Sequence, residues 1–352
     1  MDKRGKNLKK ELDISLRPSG AYLDSLTDFA DLLGTIRQAE SAAKELLEET
    51  APPERMAPPP PESQLAAHAP EEPAGEEAPS LEELLERLDS LVGLENIKQS
   101  VKSLINYVKI RKLRIENELP NPPLSLHLVF TGNPGTGKTT VARILSELYR
   151  AIGVLSKGQL IEVDRSGLVA GFVGQTAIKT SDAIKSALGG ILFIDEAYSL
   201  APDTGMGNDF GREAIETLLK MMEDNRDDLI VIVAGYSEPM ERFITANPGL
   251  ESRFNRYFFF EDYNSEQLLE IFCSMCNKSE YLLTDDARSF AAEHFRELYD
   301  TRDDNFGNAR HVRNFFEKIV SIHSDRVSAS EGHTREDLTV VIREDLENAA
   351  EM

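Results

Sequence analysis

Gly132-Asn133-Pro134-Gly135-Thr136-Gly137-Lys138-Thr139 fits the pattern G-x-x-x-x-G-K-[S/T]. Just upstream, Leu126, Leu128 and Phe130 alternate as a strand does, and downstream Val141, Ile144, Leu145 and Leu148 recur as one helix face. A strand, a glycine-rich loop and a helix in that order make a cradle for phosphate. The glycines let the backbone wrap closely, so that successive N–H groups and the helix N-terminus point at negative charge. Lys138 then reaches the β- and γ-phosphates, and the Thr139 hydroxyl is a ligand for the Mg²⁺ that bridges them. The candidate nucleotide-binding residues here are Gly132, Asn133, Pro134, Gly135, Thr136, Gly137, Lys138, Thr139 and Thr140.

Further along, Ile191-Leu192-Phe193-Ile194-Asp195-Glu196 is a buried-strand run that ends in two carboxylates. At the C-terminal edge of a parallel sheet, this places Asp195 beside the Mg²⁺ and Glu196 where it orients an attacking water. An acid beyond the metal ligand is the group that handles water, so the pair predicts hydrolysis rather than binding alone.

Working outward, Ser80 and Glu83 make a capping-box start for a helix through Leu81, Leu84, Leu85 and Leu88. From there helices alternate with short apolar strands, which predicts a parallel α/β sheet. After about Asn264 the strand signal fades, and a small helical domain is expected to the end. Nine of the 17 prolines fall between Ala51 and Pro79, among Ala and Glu and almost no large apolar residues, so this stretch cannot bury a core. Before it, Tyr22, Leu26, Phe29, Leu33 and Ile36 recur on one helical stripe, which either packs on the main body or serves as a tethered docking element. The predicted organisation is an amphipathic helical segment (1–50), a disordered Pro/Glu/Ala-rich linker (51–79), an α/β nucleotide-binding domain (80–262) and a helical domain (263–352).

Composition narrows the function. With 39 basic against 61 acidic side chains the net charge is −22, which argues against tight binding to phosphate backbones and favours a protein partner. No run of about 18 apolar residues occurs, and Met1 to Lys10 lacks the apolar core of a signal peptide, so a cytoplasmic protein without a membrane partner is expected. Cys273 and Cys276 form one Cys-x-x-Cys without a second pair or a His cluster, so they read as neighbours on a buried helix face.

These residues resemble the AAA+ superfamily, and within it the group containing red-type rubisco activase, stage V sporulation protein K and the type VII secretion ATPases. The resemblance runs from about Leu91 to Phe316. It rests on Leu91-Val92-Gly93-Leu94, Gly171-Phe172-Val173-Gly174-Gln175, Asn247-Pro248-Gly249-Leu250-Glu251-Ser252-Arg253-Phe254 and Gly307-Asn308-Ala309-Arg310, besides the two nucleotide motifs. It implies a P-loop module with a C-terminal helical lid, fuelled by ATP and Mg²⁺, that assembles as a homo-hexamer. By the same resemblance, Phe172, Val173 and Gly174 form a pore loop gripping a polypeptide. Arg253 is an arginine finger for the neighbouring subunit's nucleotide, with Arg256 as a second candidate. Arg310 is a sensor on the lid, and Val92 and Gly93 contact adenine. Where many AAA+ proteins carry a polar residue after the strand Leu229 to Val233, this chain has Ala234-Gly235-Tyr236, which leaves Tyr236 as the sensor there.

The function expected is ATP-driven remodelling of another protein. A nucleotide-switched scaffold recruiting partners through Tyr22 to Ile36 is the alternative, and a nucleic-acid motor is disfavoured by the acidic charge.

Overall fold

The computed structural model describes residues 79–121, 125–172, 174–201, 210–329 and 333–351. The stripe from Tyr22 to Ile36, residues 1–50, residues 51–78 of the linker and pore-loop Val173 lie outside the described residues.

The chain enters through α1 (Leu81–Asp89), with the Ser80–Glu83 capping box in place, and then α2 (Glu95–Glu116). The nucleotide-binding half follows as β1 (Leu128–Gly132), α3 (Lys138–Ala151), β2 (Leu160–Val163), α4 (Arg165–Leu168), α5 (Gln175–Ala187) and β3 (Ile191–Ile194). After a short 3-10 turn, Ala197–Leu200, come α6 (Phe210–Asp224), β4 (Ile230–Gly235), α7 (Ser237–Thr245), α8 (Pro248–Arg253) and β5 (Tyr257–Phe260).

The five strands form one parallel sheet in the order β2-β3-β4-β1-β5. Strands β1, β3 and β4 are buried along their length, as a parallel sheet covered by helices on both faces requires. The outermost strands are partly open: β5 alternates exposed Tyr257 and Phe259 with buried Phe258 and Phe260. Alternate residues feed opposite faces. Phe130, Phe193 and Ile232 pack under α1, α2 and α3, whereas Val129, Leu192 and Val231 pack under α5, α6 and α7. Phe130 anchors the first face, with Phe258 at 5.4 Å and Phe260 at 4.9 Å between ring centroids.

The C-terminal part comprises α9 (Ser265–Lys278), α10 (Asp285–Asp300), α11 (Ala309–Ser328), α12 (Arg335–Thr339) and α13 (Arg343–Glu351). Its core gathers around Phe272, with Phe295 at 5.5 Å and Phe315 at 5.9 Å. This core is continuous with the first face of the sheet. Within this mainly helical part, β6 (Leu282–Leu283) and β7 (Val340–Val341) pair in parallel. Two residues per strand are too few to register as a period. Cys276 is buried and Cys273 partly so, on α9; burial pushes both thiols up, Cys276 to about 12, so neither is a reactive thiolate near neutral pH. Among the described residues, no helix is long and apolar enough to cross a membrane.

Candidate functional site

β1 delivers the chain to a loop that turns sharply at Gly135 (φ 73°) and Gly137 (φ 95°), in the left-handed region that favours glycine. At Gly135 a side chain is also excluded by space, because a Cβ there would run into the Gly307 carbonyl and lie 2.8 Å from the Arg310 nitrogen. α3 then starts at Lys138, and its N-cap Gly137 supplies no side-chain bond to the first N–H groups. An uncapped helix N-terminus facing a cavity is suited to an anion.

That cavity has a volume of about 430 Å³. Gly132, Pro134, Gly135, Gly137, Lys138, Thr139 and Thr140 form its floor. Asp195 and Glu196 enter from the end of β3, Gly235 and Tyr236 from the end of β4, Val92 from the turn before α2, and Arg310 from α11. The structure therefore brings together around one space twelve of the predicted residues, from five separate segments of the chain. Asn133 and Thr136 belong to the loop but turn away: Asn133 Nδ2 donates to Asp262 at 3.0 and 3.1 Å, and buried Thr136 donates to the Asn133 carbonyl at 2.8 Å. Gly93 is not on the cavity wall either; it packs beneath Gln267 and Tyr263.

The residues present fit a nucleotide with its metal. Lys138 Nζ donates to the carbonyls of Gly132 and Asn133, both at 2.8 Å, so the ammonium is already held at the loop. Burial pushes Lys138 down to about 8; Asp195 and Asp262 oppose that shift and Arg310 adds to it. A polyanion would restore the charged state. The Thr139 hydroxyl and the Asp195 carboxylate, both lining the cavity, are hard oxygen donors of the kind Mg²⁺ takes alongside phosphate oxygens and water. Glu196 follows in a left-handed conformation (φ 47°, ψ 42°), its N–H donating to Asp195 Oδ1 at 3.0 Å. For a non-glycine residue such a backbone costs on the order of 1–3 kcal/mol, a strain that accumulates at working sites. The Tyr236 ring lies 6.3 Å from Tyr198, whose hydroxyl is pushed up by burial and then by Glu196.

Several wall residues carry no motif. Ile271, Ser274, Met275 and Lys278 come from α9, Arg313 from the turn after Arg310, and Tyr263 from the segment after β5. The α9 set recurs at helical spacing and reads in sequence as an ordinary core face.

Two predicted elements lie elsewhere. Phe172 is 72% exposed, and neither Gly171 nor Gly174 has any atom within 4 Å of where a Cβ would stand. Thr176 ties the base of that loop by accepting from Ala170 N at 3.1 Å, and Ile178 on the following turn is 62% exposed. Arg253 does not line the cavity; its guanidinium reaches Glu223 at 3.2 Å and the Gly249 carbonyl at 3.3 Å, while its buried Nε has no partner. Arg256 rests over the Tyr107 ring at 5.6 Å.

Residues 128–262 match the family model described as ATPase family associated with various cellular activities (AAA), and residues 264–352 match the AAA lid domain. Stage V sporulation protein K of Bacillus subtilis is 43% identical over 267 residues, spanning 76% of this chain and 82% of that protein. The chain belongs to the AAA ATPase family. Protein CbxX (plasmid) of Cupriavidus necator is 40% identical over 299 residues, 84% of this chain and 93% of that protein. The chloroplastic ribulose bisphosphate carboxylase/oxygenase activase of Cyanidioschyzon merolae is 40% identical over 270 residues, 76% and 91% respectively. Among solved structures, the FIGL-1 AAA domain aligns with a TM-score of 0.52 at 18% identity, covering 75% of this chain and 82% of that one. A Thermotoga maritima RuvB mutant aligns with a TM-score of 0.50 at 18% identity, covering 77% and 72%. At that identity the two structures speak for the fold alone.

For an AAA ATPase, the lowered Lys138 has a measurable consequence. The protonated ammonium is the form that attracts phosphate, so affinity should be complete below about pH 8 and fall as pH rises through it. The limiting slope for one proton is about tenfold per pH unit. Titration of a fluorescent ATP analogue from pH 7 to 9.5 measures this, and Lys138→Ala should bind weakly with a flat profile. A wild-type affinity constant across that range would mean that Lys138 keeps its proton throughout, and the weak binding of Lys138→Ala would then be the measure of its phosphate contact.

Proposed function

We propose that this AAA ATPase remodels another protein, drawing a polypeptide through a hexameric ring. The observation that carries the reading is Phe172, a large aromatic side chain exposed between two unobstructed glycines on a loop apart from the nucleotide cavity. With Ile178 exposed on the next turn, the Phe172 ring forms an apolar surface at the loop that an apolar segment of a client can cover. A relative whose name makes it an activase of another enzyme supports a protein client.

In this reading ATP lies between the α/β domain (80–262) and the lid (263–352). Val92 borders the adenine, with Gly93 behind it in the turn, the loop from Gly132 to Thr140 wraps the phosphates, and Lys138 neutralises their charge. Thr139 and Asp195 would hold Mg²⁺, which would supply charge neutralisation at the phosphates. Glu196 orients the attacking water, Arg310 and Tyr236 sense the γ-phosphate from the lid and the β4 edge, and Arg253 serves the adjoining subunit's site. Lid movement on hydrolysis displaces Phe172 and its bound segment.

The test is a trap. Glu196→Gln should hold its client in the presence of ATP, and Glu196→Gln/Phe172→Ala should release it, read by affinity capture and mass spectrometry. Capture of the same proteins at the same yield by both baits would remove the pulling role from Phe172.

A further inference from the structure

Asp262 stands at the exit of β5, one residue before the segment that leads into α9, and has no place in either nucleotide motif. Its carboxylate accepts from Asn133 Nδ2 at 3.0 Å on the phosphate loop and from Asn308 Nδ2 at 2.7 Å on the lid. A carboxylate offers acceptors only, so both amides must turn their NH₂ groups toward it. Bonds of this charge-assisted kind are stronger than neutral ones.

Asn308 is buried, with an unusual backbone (φ 47°, ψ −129°) for a residue other than glycine. Its side-chain oxygen and nitrogen are both engaged. Oδ1 accepts from Tyr263 N at 2.8 Å, and Nδ2 also reaches the Phe306 carbonyl at 3.0 Å and the Pro134 carbonyl at 3.4 Å. Two further bonds cross the same seam: Ala309 N donates to Gly135 O at 3.2 Å, and the Tyr263 hydroxyl donates to Thr136 O at 3.2 Å. Consecutive residues of the phosphate loop, from Asn133 to Thr136, are thus each bonded to Asp262 or to the segment from Tyr263 to Ala309.

We propose that Asp262 is a positioning residue that latches the phosphate loop to the lid, so that the loop's conformation and the placement of Arg310 change together. The connection is continuous. Lys138 holds the Asn133 carbonyl, Asn133 holds Asp262, Asp262 holds Asn308, and Arg310 enters the cavity two residues later. When Lys138 exchanges its carbonyl partners for phosphate oxygens, Asn133 is freed on one side, and Asp262 carries the adjustment to the turn that presents Arg310. The proposal rests on reading Gly132 to Thr140 as the phosphate loop.

The experiment is a polarity swap in the full-length chain, read as kcat/KM for ATP. Asp262→Asn removes the charge, leaves one oxygen to accept from both amides and turns an NH₂ group toward Asn133 Nδ2, and Asn133→Asp sets two carboxylates face to face. Each single variant should lose about tenfold or more, the scale of a hydrogen bond to a charged group. In the double variant Asp262→Asn/Asn133→Asp, the new carboxylate on the loop accepts from the new amide, whose oxygen still accepts from Asn308. Charge is conserved, and kcat/KM should return to within about threefold of wild type. Thermal melts of each variant separate the latch from folding: a single that melts as wild type does yet loses kcat/KM has lost positioning, and a loss of activity that only tracks a lowered melting temperature would overturn the latch. Singles within about twofold of wild type, or a double no more active than the singles, would overturn the latch. Lys138→Ala examines the underlying reading separately: retained ATP binding there refutes the phosphate loop, whatever the swap shows.

Discussion

Replacing Glu196 with Gln is expected to cut steady-state ATP turnover by about 10²- to 10⁴-fold, the range a positioned general base contributes. Binding of ATP should stay within about threefold of wild type, because an interaction made mainly in the transition state lowers kcat without raising the dissociation constant. The geometry gives the reason. β3 ends at Ile194, Asp195 turns its Oδ1 back to the Glu196 N–H at 3.0 Å, and the left-handed backbone at Glu196 sends the next residues into the turn Ala197–Leu200. The two adjacent carboxylates thereby line the same cavity while occupying different backbone conformations. Gln keeps the length and shape of Glu but cannot accept a proton from water. Phosphate release and binding of a fluorescent ATP analogue, measured on one preparation, separate the two effects. A variant that keeps more than about a tenth of the wild-type rate would place the water-orienting group elsewhere.

What could be read from the sequence follows from how far each interaction reaches along the chain. The cradle from Gly132 to Thr139 is legible because its chemistry demands a strand, a tight loop and a helix in immediate succession, and β1 and α3 stand where the alternation and the helical face put them. The run Ile191 to Ile194 is legible because a central parallel strand must be apolar on both faces, and it is buried throughout. The latch is not. Asn133 occupies a free position of its motif, and Asp262 resembles any acid that ends a strand; the bond between them spans 129 residues. The α9 wall is hidden for a different reason: Ile271 and Met275 recur at the spacing that also builds a core, so periodicity cannot tell a cavity lining from packing. Exposure was invisible too. Nothing in the letters around Phe172 distinguishes a ring in solvent from one tucked against α5, and that distinction carries the functional proposal.

Arg253→Ala should lower ATP turnover by about 10³- to 10⁵-fold, the effect of removing an arginine that offsets charge on a transferring phosphoryl group. The structure constrains how such an effect can arise. Arg253 closes α8, a helix fixed at its start by Asn247, whose side chain accepts from Gly249 N at 2.9 Å, and at its end by Ser125, whose hydroxyl donates to the Arg253 carbonyl at 2.5 Å. The side chain is 28% exposed, outside its own cavity, with an unpartnered Nε, a part-exposed ion pair to Glu223 and a bond to the Gly249 carbonyl at 3.3 Å. An ion pair of that exposure contributes little to stability, so the side chain is cheaply released to another partner. If it acts, it acts on a second copy. Mixing Arg253→Ala with Lys138→Ala subunits distinguishes this from any effect within one chain. Each variant alone is inactive, but in a mixed ring a Lys138→Ala subunit can lend its Arg253 to the intact cavity of an Arg253→Ala neighbour. Random equimolar rings would contain about a quarter of their sites in that arrangement. Activity should therefore reappear on mixing and be absent from either preparation alone. Arg256, already engaged with Tyr107, should tolerate Ala with a much smaller loss. Mixtures that stay inactive would confine Arg253 to a structural part, leaving the γ-phosphate to the lid arginine and its own loop.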